Sequence, residues 1–212
     1  MARSEAAERP DPQSGREAGP RYAEMYAASH GDQAALDYRS SYVDTLIIDA
    51  LFSNYRLLEA GCGTGGYLRL AAKAREIVGV DFSATMIAEA RRFGITNARF
   101  ECGRFETYLD EKPFDVVNIG GVIGWYAPWV GNGDVLRRAA KMIAPNGIVV
   151  ATYVPPRTII AKIKCIVARG HTVVTWPSTF AAIADNAGLA PLFSLDRGNR
   201  VTIFLRRKEH HG

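Results

Sequence analysis

The sequence predicts an α/β fold: a doubly wound, mostly parallel seven-stranded sheet that ends in an antiparallel hairpin. Three observations carry that prediction. From Tyr55 onward, short apolar runs alternate with segments of helical periodicity, the pattern of right-handed βαβ units with helices on both faces of a sheet. A glycine-rich turn, Gly61-Cys62-Gly63-Thr64-Gly65-Gly66, follows the first apolar run. The last two runs are joined only by Asp196 to Arg200, a connection too short for a parallel crossover, so they must pair antiparallel.

The elements follow in order. Residues 1–20 are rich in Pro, Gly, Glu, Arg and Ser without periodicity and are expected to be a disordered leader. Residues 21–54 are expected to form an N-terminal helical cap, with Tyr22, Met25 and Tyr26 at helical spacing. The domain proper runs over 55–212. Strands are expected over 56–60, 76–80, 98–102, 114–119 and 148–154. Helices are expected over 67–74, where Leu68, Ala71 and Ala72 share a face, over 83–93 with Ser83 as N-cap, and over 134–143. Pro145, Asn146 and Gly147 make a turn. Ser178 is the expected cap of a last helix that Gly188 terminates, and strands over 192–195 and 201–206 complete the hairpin. Residues 155–177 are too long for a plain connection and carry Arg157, Lys162, Lys164 and Arg169, so they form a substrate-side insertion.

Composition narrows the class. With 212 residues, 48% hydrophobic and 23% charged, the chain suits one domain with an appendage and a full core. No run approaches the roughly eighteen apolar residues of a membrane span; the most apolar window, 116–130, contains Asn118 and three glycines. The N-terminal residues lack the apolar segment of a secretory signal. Cys62, Cys102 and Cys165 are far apart and form no CxxC pair, which argues against a disulfide framework or a cysteine-rich zinc site and for a reducing, cytoplasmic setting. The net charge of +4 is uneven: residues 155–212 hold nine Lys/Arg against three Asp/Glu. A basic quarter can attract an anionic substrate or simply form a solvated surface.

The most informative segment is Leu57-Leu58-Glu59-Ala60 followed by the glycine turn. Gly61, Gly63 and Gly66 satisfy GxGxxG, and Asp81 lies about twenty residues on, as a dinucleotide fingerprint requires. The physics serves any adenosine cofactor, because glycines admit the backbone close to a ligand and a carboxylate accepts both ribose hydroxyls. Glu59 discriminates. Two residues before the first glycine, its carboxylate would face a ligand ammonium, for which a dehydrogenase has no use. The turn is also GxGxG through Gly65, and the terminal hairpin does not belong to a six-stranded dinucleotide domain.

This combination resembles the class I S-adenosylmethionine-dependent methyltransferases from about Tyr55 to Arg206, through LLEAGCGTGGYL, VGVDFSATMIAEAR, FDVV at Phe114 to Val117 and MIAPNGIVVATY. The resemblance implies a Rossmann-like methyltransferase fold and S-adenosyl-L-methionine as cofactor, leaving S-adenosyl-L-homocysteine. Glu59, Gly61, Cys62 and Gly63 would surround its methionine part. Asp81 would hold the ribose, Phe82 and Met86 would pack on adenosine, and Asn118 would lie beside the sulfonium. Where the family has an acid for the adenine amine, this chain has Arg104, which has only donors. Backbone of Arg104 and Phe105 reads adenine instead, or Glu106 substitutes.

Methyl transfer from a sulfonium needs alignment above all, and a base only where the acceptor must lose a proton. His171, between the fifth strand and the last helix, is the candidate base and His30 a weaker one; His210 and His211 are expected to be solvated at the frayed terminus. Tyr22, Tyr26, Trp125 and Tyr126 are candidates to bind substrate by stacking. No Asn-Pro-Pro-Tyr segment and no acid cluster follow the fourth strand, against DNA base methylation and a metal site. The expectation is methylation of an oxygen or nitrogen of a small molecule, with neither a membrane nor nucleic acid as partner. Methylation of RNA or protein, or cofactor binding without methyl transfer, are the alternatives.

Overall fold

A computed structural model describes residues 41–123, 129–158, 175–198 and 200–208. The expected leader, residues 21–40 of the cap, and residues 159–174 of the insertion lie outside the described residues. So do Tyr22, Tyr26, His30, Trp125, Tyr126, His171, His210 and His211.

Seven strands form one sheet in the order β3-β2-β1-β4-β5-β7-β6. They are β1 (Tyr55–Ala60), β2 (Ala74–Asp81), β3 (Ala98–Cys102), β4 (Phe114–Asn118), β5 (Ile143–Tyr153), β6 (Leu189–Asp196) and β7 (Val201–Arg207). The first five are parallel, and β7 inserts antiparallel between β5 and β6. The order reverses between β1 and β4, which opens a crevice at their carboxyl ends where open α/β sheets bind ligands.

Alternation along the buried strands divides the core in two. Leu58, Val117, Val149 and Leu205 pack on one face with α3 (Trp129–Met142) and α4 (Pro177–Asn186). Leu57, Val116, Val150 and Phe204 pack on the other with Ile48 of α1 (41–51) and with Ile87 and Ala90 of α2 (Ala84–Arg92). Each buried aliphatic side chain contributes roughly 1.5–3 kcal/mol relative to exposure, and both faces need helices because a parallel sheet is apolar on both sides.

Local chemistry explains the element ends. Ser83 caps α2 by accepting from Met86 N, as expected. Gly188 adopts φ +74° after α4. The start of α4 differs from the Ser178 cap: Pro177 occupies the first turn and Trp176 precedes it without a side-chain cap, the position where a missing N–H costs nothing. The helix expected over 67–74 is instead a short 3-10 helix, Gly66–Leu70, and β2 already begins at Ala74. Gly65 enters that turn left-handed, and the few residues left before β2 cannot complete an α-helix. Pro145-Asn146-Gly147 lie inside β5 as a bulge, since β4 pairs Phe114 with Ile143 and then Val116 with Ile148.

The amino end of the sheet is closed by ions. Buried Arg56 donates Nε to Glu76 Oε2 at 2.6 Å, Nη2 to Asp110 Oδ2 at 2.9 Å and Nη1 to the Lys112 carbonyl at 2.5 Å, and it stacks 4.2 Å from the Phe114 ring centroid. Arg99 joins both acids. Among the described residues, no helix is long and apolar enough to cross a membrane.

Candidate functional site

At the carboxyl end of β1 the chain turns through three left-handed glycines, Gly61, Gly63 and Gly65, a backbone that other residues adopt only with strain. Gly61 N and Cys62 N both donate to the Val80 carbonyl, at 2.7 and 3.1 Å, which folds the turn over the end of β2. A second loop presses against it. A Cβ on Gly121 would fall 2.5 Å from the Gly61 carbonyl oxygen, so only glycine lets the loop after β4 approach. Around Gly63, by contrast, a Cβ would meet nothing within 4 Å. Here the backbone is open to a ligand.

Asp81 ends β2 beneath this turn. Gly63 N donates to its Oδ2 and Ser83 N to its Oδ1, each at 2.9 Å. Burial pushes its carboxyl up from the ordinary aspartate value, and the two backbone N–H groups oppose that. The carboxylate is thereby fixed in place, with remaining acceptor capacity on both oxygens. Phe82 beside it is 46% exposed, an aromatic surface next to a diol-binding group, while Met86 is half-buried on α2.

Glu59 faces Gly79 and Asn118 across the sheet at the end of β1. It is 3% exposed. Tyr67 donates to Oε1 at 2.8 Å, and Oε2 has no hydrogen-bond partner among the described residues. Burial drives its pKa up to about 8; the hydrogen bond from Tyr67 opposes this, and the Asp44 charge on α1 adds to it. A buried acceptor without a donor is costly unless a ligand supplies one, and a ligand ammonium would do so. Asn118 accepts from Gly120 N at 3.0 Å, which shapes the loop after β4.

Cys62 is buried and fills space in the turn, and its thiol is pushed well up, first by burial and then by Asp81 and Glu59, which disfavours the thiolate. Arg104 does not offer an acceptor: it pairs with Glu106 at 2.8 Å. The Phe105 ring is core and lies beneath the Arg138 guanidinium, leaving only its backbone to reach a ligand. Among the described residues no group of three His, Cys, Asp or Glu could hold a metal. The structure thus brings together Glu59, Gly61, Gly63, Asp81, Phe82 and Asn118 around one crevice. Tyr67, Gly121 and Asp44 were not foreseen. Gly121 was visible only as one of the glycines after the fourth strand, and Asp44 had no local signal.

These residues fit S-adenosylmethionine: Glu59 Oε2 would take its ammonium, the open backbone at Gly63 would pass its carboxylate end, Asp81 would hold the ribose and Phe82 would cover the adenosine. When bound, the cofactor supplies an electrophilic methyl for in-line displacement. The chain's own part is to orient it and exclude water.

The comparisons with known proteins agree with this geometry. The family model described as a methyltransferase domain matches residues 51–183, well over half of the chain. No curated protein matches the sequence. Among solved structures, the chain resembles the magnesium protoporphyrin IX methyltransferase ChlM of Synechocystis PCC 6803 with bound SAH, at TM-score 0.68 and 14% identity over 89% of this chain and 95% of that one. It resembles the mitomycin 7-O-methyltransferase MmcR at TM-score 0.69 and 16% identity, over 92% of this chain and 62% of that one. The N-methyltransferase NodS of Bradyrhizobium japonicum WM9 follows at TM-score 0.64 and 14% identity, over 82% and 97%. At such identities the structural likeness is one of fold, and a fold alone does not fix chemistry. The family match does what the fold cannot, and with the orphaned Glu59 oxygen and the Asp81 clamp in the same crevice it settles the assignment: the chain belongs to the class I S-adenosylmethionine-dependent methyltransferases.

Proposed function

We propose that this methyltransferase acts on an oxygen or nitrogen of a small molecule. The observation that carries the reading is the enclosure of the carboxyl end. Beyond Glu59, the polar groups Asn118, Thr202 and Asp44 are each at most 5% exposed, with α1 laid over them. Packing this close around the carboxyl end favours a small acceptor over a polymer backbone. Two structural neighbours act as an O- and an N-methyltransferase by name, which supports the fold's suitability for either atom. The cap over 21–54 and the insertion over 155–177 would complete the acceptor pocket, with Tyr22, Tyr26, Trp125 and Tyr126 stacking the acceptor.

Incubation of the full chain with methyl-labelled S-adenosylmethionine and fractionated cell extract tests this. The label is expected in a low-mass product that resists nuclease and protease. Label in RNA or protein would overturn the small-molecule reading, and mass spectrometry of the product separates oxygen from nitrogen.

A further inference from the structure

Beyond Asn118, a line of hydroxyls leads away from the crevice. Thr152 of β5 is half-buried and directly faces Thr202 of β7; their Oγ1 atoms are 3.4 Å apart. Thr202 is fully buried and donates to Asp44 Oδ2 at 3.4 Å. Its single hydroxyl hydrogen is spent there, so Thr152 must be the donor to Thr202. Asp44 Oδ1 receives Arg197 from the hairpin turn. A Cβ on Gly120 would stand 3.2 Å from both Asn118 Oδ1 and Thr152 Oγ1, so the missing side chain leaves room above both polar atoms.

We propose that Thr152, Thr202 and Asp44 form a proton relay that takes the acceptor's proton during methyl transfer, Thr152 touching the acceptor and Thr202 and Asp44 acting through it as positioning residues. This rests on the reading of a small acceptor with an O–H or N–H. The acceptor's lone pair forms the new bond to the methyl carbon as the methyl–sulfur bond breaks with its electron pair on sulfur. The acceptor's proton passes to Thr152 Oγ1, that of Thr152 to Thr202, and that of Thr202 to Asp44 Oδ2. Asp44 ends as a neutral carboxylic acid, and the positive charge of the cofactor is consumed. A concerted shift avoids a free alkoxide, and contacts of 3.4 Å are of the length that catalytic hydrogen bonds show before ligands tighten them. The surroundings of Asp44 suit a base. Arg197 holds it anionic at rest, while burial pushes its carboxyl up from the ordinary range.

A latch that merely pins α1 to the hairpin would use the same atoms, so the experiment separates the two. In the full chain with bound S-adenosylhomocysteine, carbon-13 NMR of aspartate γ-carbons, assigned with Asp44→Asn, is expected to show Asp44 titrating above the ordinary aspartate range, and Thr202→Val is expected to raise the midpoint further. An Asp44 that stays ionised throughout that range overturns the relay whatever the acceptor. With phenol and aniline as probe acceptors, both neutral and carrying an O–H or N–H at neutral pH, Thr152→Val is expected to lower kcat about a hundredfold, with KM for S-adenosylmethionine within twofold and activity restored by Thr152→Ser. An unchanged kcat in Thr152→Val also overturns it. If the wild-type chain binds S-adenosylhomocysteine but methylates neither probe, the acceptor reading is what fails, and an Asp44 that stays ionised in the NMR titration overturns the relay separately.

Discussion

The two ends of the same sheet treat buried charge in opposite ways. At the amino end, Arg56, Glu76, Arg99 and Asp110 satisfy one another. Arg56 holds the Glu76 carboxyl below its ordinary value. Burial works against ionised Asp110, but hydrogen bonds from Arg56, Lys112 N, Tyr108 and Arg99 outweigh it and hold that carboxyl low as well. At the carboxyl end, Glu59 is deeper, has one oxygen without a donor and sits at a pKa of about 8. Complete pairing marks electrostatics that serve the fold. An open valence marks electrostatics that await a ligand.

The largest effect is expected where pairing is complete. Arg56→Leu would strand Asp110 and Glu76 without their main partner, and removing one member of a buried pair costs roughly 3–5 kcal/mol. Urea denaturation should show that loss, while affinity for S-adenosylhomocysteine in the folded fraction stays within twofold. A variant as stable as wild type would show that the amino-end cluster is solvated and the contrast between the two ends false.

Asp81→Ala comes next and acts on the other end. It removes charge-assisted hydrogen bonds worth about 1.5–3 kcal/mol, so S-adenosylhomocysteine affinity should fall at least about tenfold. Calorimetry finding unchanged affinity would remove the ribose from Asp81.

The site was legible in the sequence to the extent that its chemistry is local. Positive-φ glycines, the Ser83 cap and the carboxylate of Asp81 fall within a few residues of one turn, and the hairpin follows from the shortness of its loop. What could not be read is set by the register of distant strands. Thr202 reaches Asp44 across 158 positions, Thr152 finds Thr202 only through the β5–β7 ladder, and nothing near Gly79 announces that Phe100 would occupy its missing side chain at 2.5 Å. The misread helix over 67–74 has the same origin. Its apolar spacing suits a helix, but the length available before β2 was fixed by the sheet. That misreading also hid Tyr67, whose hydroxyl meets Glu59 because the 3-10 turn places it there.

Glu59→Gln tests the open end directly, with a pH signature opposite to that of the amino end. The lowered carboxyls of Glu76 and Asp110 contribute stability above the ordinary range that is lost as pH falls through their folded values. Glu59 is raised from 4.5 to about 8, so its contribution is full below about 4.5 and fades as pH rises to about 8. In the empty protein at pH 9, Glu59→Gln should therefore be more stable than wild type, by roughly 1–3 kcal/mol. Cofactor binding should show the converse. A ligand ammonium favours ionised Glu59, so wild-type affinity for S-adenosylhomocysteine should climb from pH 6 to 8 with release of a proton, measurable by calorimetry in buffers of different ionisation heat. Glu59→Gln should bind more weakly and lose that slope; a variant that keeps it would move the ammonium elsewhere.

The smallest effect is expected between the two ends, at the pair Arg104–Glu106 beyond β3. Both side chains are about a third exposed or more, so the pair itself is worth at most about 1 kcal/mol to folding. Its interest lies in adenine, for which Arg104 offers donors to an amine that needs an acceptor. If Glu106 is that acceptor, Arg104 serves only to steady it. Glu106→Gln should then weaken S-adenosylhomocysteine several-fold, because the amide still presents an oxygen but no charge, whereas Arg104→Ala should change affinity less than twofold. Inosine in place of adenosine sharpens the comparison. A cofactor analogue with a 6-oxo group lacks the amine, so it should lose affinity with wild type and little more with Glu106→Gln. Equal, mild effects from both substitutions would assign adenine to the backbone of Arg104 and Phe105, and a large loss from Arg104→Ala alone would place the guanidinium, not the carboxylate, against the cofactor.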